Sequence, residues 1–253
     1  YALLAGVAFR MGIGLPIILA GSLLFVGFQY IVGKKVALWS VGAEDLPEEE
    51  YPEVHAAIDE LCEDMDLEKP RVMRASMGVP NAFATGRKGA GIVVISDELM
   101  SVLNHEELKG VIAHELSHIK NRDVVMMVLG MSIAAMVGIA VRWLVFLAGD
   151  EDIADFFIGA IAGMIAQFLV MLFVLAISRY REYVADADAA RYTGNGEALA
   201  SALEKISSSA EGRESKVDDS VSALCIFEGD KGILRSLFAT HPPMEKRIQR
   251  LRA

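Results

Sequence analysis

The chain has 253 residues, of which 53% are hydrophobic and 23% charged, with a mean hydropathy of +0.38. So apolar a balance with an ordinary charge content requires the apolar residues to be gathered in blocks, which speaks against a single soluble core. The formal net charge of −10 speaks against a nucleic-acid partner, because a phosphate backbone needs a cationic surface.

From the N-terminus, Tyr1 stands where a Met would begin a chain, which predicts further residues upstream, and the apolar stretch Tyr1 to Phe9 reads as the tail of an earlier span. A first long apolar block runs from about Met11 to Gly33 and stops at Lys34-Lys35. The polar stretch that follows carries acidic runs such as Glu44-Asp45 and Glu48-Glu49-Glu50, read as a solvated surface or as adaptation to high salt. Glu53 to Leu67 places Val54, Ala57, Ile58 and Leu61 at helical spacing. Arg71 to Ala75, Ala82 to Thr85 and Gly91 to Ile95 read as short strands between Gly, Pro and Asn. Gly86 to Gly91 lacks the Gly-Lys-Ser/Thr ending of a phosphate loop and opens no helix, so no nucleotide is expected. Asn104 followed by His105-Glu106-Glu107 is a capping-box pattern that starts the next helix.

A second apolar block runs from about Val124 to Ala148, with Arg142 near enough to its end to reach an interface. A third runs from Phe156 to Ile177 and ends at Arg179 and Arg181. Each block approaches or exceeds the ~20 residues that cross a bilayer core; the alternative is a set of buried helices in a soluble core. Gly159 to Gly163 contains small residues four apart, a spacing that lets helices approach closely. Lys34, Lys35, Lys120, Arg122, Arg179 and Arg181 flank one set of block ends, whereas the loop from Gly149 to Asp155 has no Lys or Arg. The positive-inside rule places the basic ends in the cytoplasm. The expected organisation is a membrane segment over 1–33, a first polar part over 34–123, a helical hairpin over 124–177 and a second polar part over 178–253. Ser207 to Ser220 is expected to be a loop, and His55 and His105 surface residues. Cys62 and Cys225 are too few and too isolated for a disulfide framework or a cysteine metal site, and read as buried, reduced thiols.

The chemistry centres on His114-Glu115-Leu116-Ser117-His118. Histidines four apart project from one helix face and can grip one Zn2+, and Glu115 is placed to act as general base toward a zinc-activated water. A catalytic zinc takes three protein ligands and leaves one position open. The candidate third ligand is Glu182, on a helix expected to emerge from the third block, with Asp186 one turn on and placed to orient a ligating histidine. The alternative makes Glu182 and Asp186 solvated partners of Arg179 and Arg181.

Pro80-Asn81-Ala82-Phe83-Ala84-Thr85-Gly86, the run from His114 to Asp123, Glu182-Tyr183-Val184-Ala185-Asp186 and Thr240-His241-Pro242-Pro243 together resemble the HtpX-type membrane metalloproteases. The resemblance implies a mainly helical α+β membrane protein, with a cytoplasmic, gluzincin-like zinc protease domain that carries a small β-sheet. It implies Glu182 as third zinc ligand, a multi-pass protein of the cell membrane, and cleavage of misfolded or damaged membrane polypeptides at the cytoplasmic face. It further likens Asn81, Ala82, Phe83 and Ala84 to a substrate-binding edge strand, where the residues alone allow an ordinary core strand. His241 is likened to a histidine that could donate to the oxyanion, where the residues alone allow a helix-start histidine before Pro242. Two other readings stay open: a CAAX prenyl protease, and a zinc-binding membrane chaperone without catalysis, against which the presence of Glu115 argues.

Overall fold

The computed structural model describes residues 15–150, 152–210 and 241–253. The described residues divide into two compact units, one comprising residues 15–33 with Met126–Ala176, the other Lys34–Val125 with the described part of Ile177–Ala253. In chain order the elements are α1 (Leu15–Ser40), β1 (Glu44–Asp45), α2 (Pro52–Asp64), β2 (Arg71–Ala75), β3 (Ala82–Thr85), β4 (Ile92–Ser96), α3 (Asp97–Val102), α4 (His105–Asn121), α5 (Asp123–Ala148), α6 (Ile153–Thr193), α7 (Gly196–Ala210) and α8 (Met244–Leu251). The described residues are thus mainly helical with one small mixed sheet.

The first unit is built from the long apolar helices. Two helices among the described residues, α5 and α6, are long and apolar enough to cross a membrane. Helices of a soluble core would be mostly buried, yet only 11% and 17% of their most apolar windows are. Leu144, Ile161 and Phe173 are among the large apolar side chains left outside. The small residues in α6 have a packing reason: a Cβ on Gly163 would collide with the Gly138 carbonyl of α5, and one on Gly159 with the Arg142 carbonyl. The Arg142 guanidinium lies 4.4 Å from the Phe156 ring centre.

The second unit wraps its sheet on both faces. The strand order is β1-β2-β4-β3, with β2 and β4 parallel and both edge pairs antiparallel. The central strand, Ile92-Val93-Val94-Ile95-Ser96, is buried throughout. Its alternation sends Val93 and Ile95 toward α2, α4 and α7 (Ile58, Leu61, Leu116, Leu203) and Ile92 and Val94 toward Met73, Phe83 and Leu38. A strand covered on both sides has no polar face to show, which is why it reads as a continuous apolar run. Helix α4 starts as its sequence predicts: Glu107 N–H donates to Asn104 Oδ1 and Asn104 N–H to Glu107 Oε2, each at 2.9 Å. Glu107 also accepts from Ser201 and Lys205 of α7, both at 2.7 Å, tying the two helices.

Two expectations are corrected. His55 is buried, with Nε2 2.9 Å from the Leu46 carbonyl, because it flanks the apolar face of α2 and finds a backbone acceptor there. Residues 207–210 belong to α7, whose apolar spacing (Leu199, Ala202, Leu203, Ile206) carries the helix through the serines; residues 211–220, like Cys225, lie outside the described residues. Cys62 is a buried free thiol, pushed up to about 11 by burial and by Asp59.

Candidate metal centre

Helix α4 brings His114 and His118 onto one face, ring centres 4.7 Å apart and edge-on. The C-terminal part of α6, within the second unit, brings Glu182 to them. Ligand atoms of His114, His118 and Glu182 all lie within 4.8 Å of one another. His118 Nε2 is 3.2 Å from His114 Nε2 and 3.4 Å from Glu182 Oε1, and His114 Nε2 is 3.6 Å from Glu182 Oε2.

The outer nitrogens decide what those inner atoms are. His114 Nδ1 lies 3.1 Å from Asp186 Oδ1, and His118 Nδ1 lies 2.7 Å from Asp123 Oδ2. A carboxylate can only accept, so each Nδ1 carries the hydrogen and each Nε2 is left with its lone pair when the ring is neutral. Two lone pairs and a carboxylate oxygen then face one another in a buried space, an arrangement that calls for a cation. Burial opposes charge on His114, but Asp186 and Glu182 outweigh it and raise its pKa to about 9; burial pushes His118 down to about 4.

Glu182 Oε2 gives a second indication. It is buried and lies 2.8 Å from His241 Nδ1 and 3.3 Å from Arg247 Nη1, yet neither contact has hydrogen-bond direction, so no donor is aligned on it. The donor set of two imidazoles and one carboxylate suits zinc.

Glu182 and Asp186 are only 4% and 3% exposed, which removes the reading of a solvated charge run. Arg181 instead ion-pairs with Asp123 and donates to the Asn121 carbonyl at 3.0 Å. Glu115 is buried on α4, one residue from His114. His241 stands beside Glu182, just before Pro242 and α8. Asn81 is buried, its N–H donating to Ser96 Oγ at 2.8 Å. Ala82, Phe83 and Ala84 form most of β3, which pairs on one side only among the described residues, with buried side chains and α4 packed against it.

Three residues escaped the sequence reading. Arg247 of α8 is fully buried; its Nε and Nη2 donate to the two Asp186 oxygens at 2.9 and 2.7 Å, and Nη2 lies 3.3 Å from His114 Nε2. Burial opposes its charge, but Asp186 and Glu182 more than offset that and hold the guanidinium charged. Nothing local to Met244–Leu251 marks this arginine out from Lys246 or Arg250. Asp123 reaches His118 because Arg122 takes the left-handed conformation (φ 57°) and turns the chain back at the end of α4. An aspartate directly after such a helix end, five residues past a candidate ligand, was the available signal. Asp188 accepts from Ser117 Oγ at 2.7 Å and from Asn121 Nδ2 at 3.2 Å, fixing α6 against α4.

Paired histidines on one helix, a glutamate between them and a buried carboxylate from a second helix make up the site pattern of a metallopeptidase. Residues 48–253 match Peptidase family M48. A Protease HtpX homolog of Halobacterium salinarum is 55% identical over 260 residues, covering 94% of this chain and 90% of that protein. One from Pyrococcus abyssi is 39% identical, with 99% and 91% covered. The chain therefore belongs to peptidase family M48 and is a metalloprotease of the HtpX type. The crystal structure of S. mikatae Ste24p shares the fold at a TM-score of 0.59 and 19% identity, covering 91% of this chain; the chain spans 56% of that longer protein.

Proposed function

We propose that this chain is a zinc-dependent endopeptidase of the cell membrane that cleaves misfolded or damaged membrane polypeptides at the cytoplasmic face. The observation that carries it is the convergence of His114 Nε2, His118 Nε2 and Glu182 on one buried point, with both Nδ1 atoms against carboxylates. His114, His118 and Glu182 would hold the ion. A bound zinc supplies Lewis acidity and lowers the pKa of a water to near neutrality. Asp186 and Asp123 hold the two imidazoles in the tautomer that offers Nε2. Glu115 accepts the proton of the attacking water and passes it to the leaving amine. His241 donates to the carbonyl oxygen as negative charge develops on it. Asn81 and the Ala82 to Ala84 segment of β3 offer a sheet edge to an extended substrate. The basic flanks Lys34, Lys35, Lys120, Arg122, Arg179 and Arg181, against the acidic loop from Gly149 to Asp155, support the cytoplasmic orientation.

Reconstituted protein should cleave an unfolded reporter, lose that activity to a chelator and recover it with Zn2+. Activity indifferent to chelation would sink the proposal, and cleavage confined to prenylated peptides would move it to a CAAX protease. Replacing Asp123 with Ala is expected to weaken zinc binding by about 10–100-fold while leaving some binding, as for other groups that orient a ligating histidine; a competition titration with a fluorescent chelator reads this directly.

A further inference from the structure

The last turns of α1 belong to the second unit and present two faces. Ala37 is buried, Leu38 packs with Val41 on the cluster of Met73, Phe83 and Val94, and Lys34 Nζ donates to the Ala90 carbonyl at 2.9 Å. At about 100° per residue, Lys34, Ala37 and Leu38 share one side of the helix, and Lys35, Val36 and Trp39 share the opposite side. That opposite side is uncovered: Val36 is exposed and Trp39 is 84% exposed. So exposed an indole on an ordered helix is costly in water and calls for a partner.

We propose that the partner is the headgroup layer of a lipid bilayer, with the Trp39 indole inserted in it and the Lys35 ammonium on lipid phosphates. Three observations favour lipid. First, the helix is continuous with the apolar run from Leu15 to Gly33, in which Leu24, Phe28 and Ile31 are exposed. Second, Trp39 lies roughly 9 Å along the axis beyond Gly33 at 1.5 Å per residue, which a modest tilt of the helix brings to the outer part of a headgroup layer roughly 5–8 Å deep, the interfacial zone where tryptophan with its apolar body and polar N–H is enriched. Third, residues 34–43 carry Lys34 and Lys35 and no acid, in a chain of net charge −10, which complements anionic headgroups. Trp39 and Lys35 thereby tie the end of α1 to the bilayer surface.

This inference rests on the membrane-spanning reading, and one experiment separates the two. The chain has two tryptophans, Trp39 and Trp143, the latter in α5. The full chain as Trp143→Phe and as Trp39→Phe is reconstituted in nanodiscs of mixed phosphatidylcholine and phosphatidylglycerol, brominated either near the carbonyl end or near the chain ends. Reporter cleavage checks that each variant is folded. In Trp143→Phe, emission is expected to be blue-shifted, protected from aqueous iodide, and quenched more by bromine near the carbonyls than near the chain ends. Emission of a water-exposed indole, quenched by iodide and untouched by bromine, would overturn the inference if Trp143 in the Trp39→Phe protein still reports bromine. Silence of both tryptophans toward bromine would overturn the spanning reading and the inference together.

Discussion

Glu115→Gln is expected to keep its metal and lose peptide cleavage by about two to four orders of magnitude, the usual contribution of a general base. The amide has nearly the shape of the carboxylate but cannot take a proton from water at neutral pH. Glu115 belongs to neither the His114–His118–Glu182 cluster nor the Asp186 and Asp123 contacts behind it, so metal content should be unchanged. Metal analysis and turnover of an unfolded reporter on one preparation check both halves. Cleavage at the original rate would remove Glu115 from the chemistry and reopen the reading of a zinc-binding chaperone.

Arg247→Met should destabilise the second unit by about 3–5 kcal/mol, the cost of leaving a buried charge without its partner. Arg247 is 0% exposed and binds Asp186 through two nitrogens, with Glu182 3.3 Å away. Methionine fills similar volume but leaves Asp186 to be neutralised or to pull on His114. Denaturant unfolding in detergent should show the loss, and zinc affinity should fall with it because Asp186 orients His114. An unfolding midpoint equal to that of the parent would mean that Asp186 finds another donor.

What could be read from the sequence was what is local. Helix spacing marked α2 and α4, the Asn104 cap marked the start of the metal helix, and turn residues bounded β2, β3 and β4. His114 and His118 are legible because four residues make one helical turn. Glu182 was legible because α6 runs unbroken from the third apolar block to Thr193, so a residue just past the block keeps the helix phase. The order β1-β2-β4-β3 was not legible: pairing Arg71 with Ile92 in parallel depends on contacts distant in sequence. Arg247 was hidden for the same reason, since its partner Asp186 lies 61 residues away. His55 and the serines of α7 misled for a different reason. Polar residues usually mark a surface or a turn, but a backbone acceptor and an adjacent apolar stripe can override that.

A single catalytic metal held by His114, His118 and Glu182 makes zinc content depend on the Glu182 carboxylate. The most direct measurement is the zinc content of purified Glu182→Ala beside the parent chain, with circular dichroism to confirm that the helices persist. Stoichiometric zinc is expected in the parent and little or none in the folded variant. Full zinc occupancy in folded Glu182→Ala would contradict this assignment and place the third ligand elsewhere.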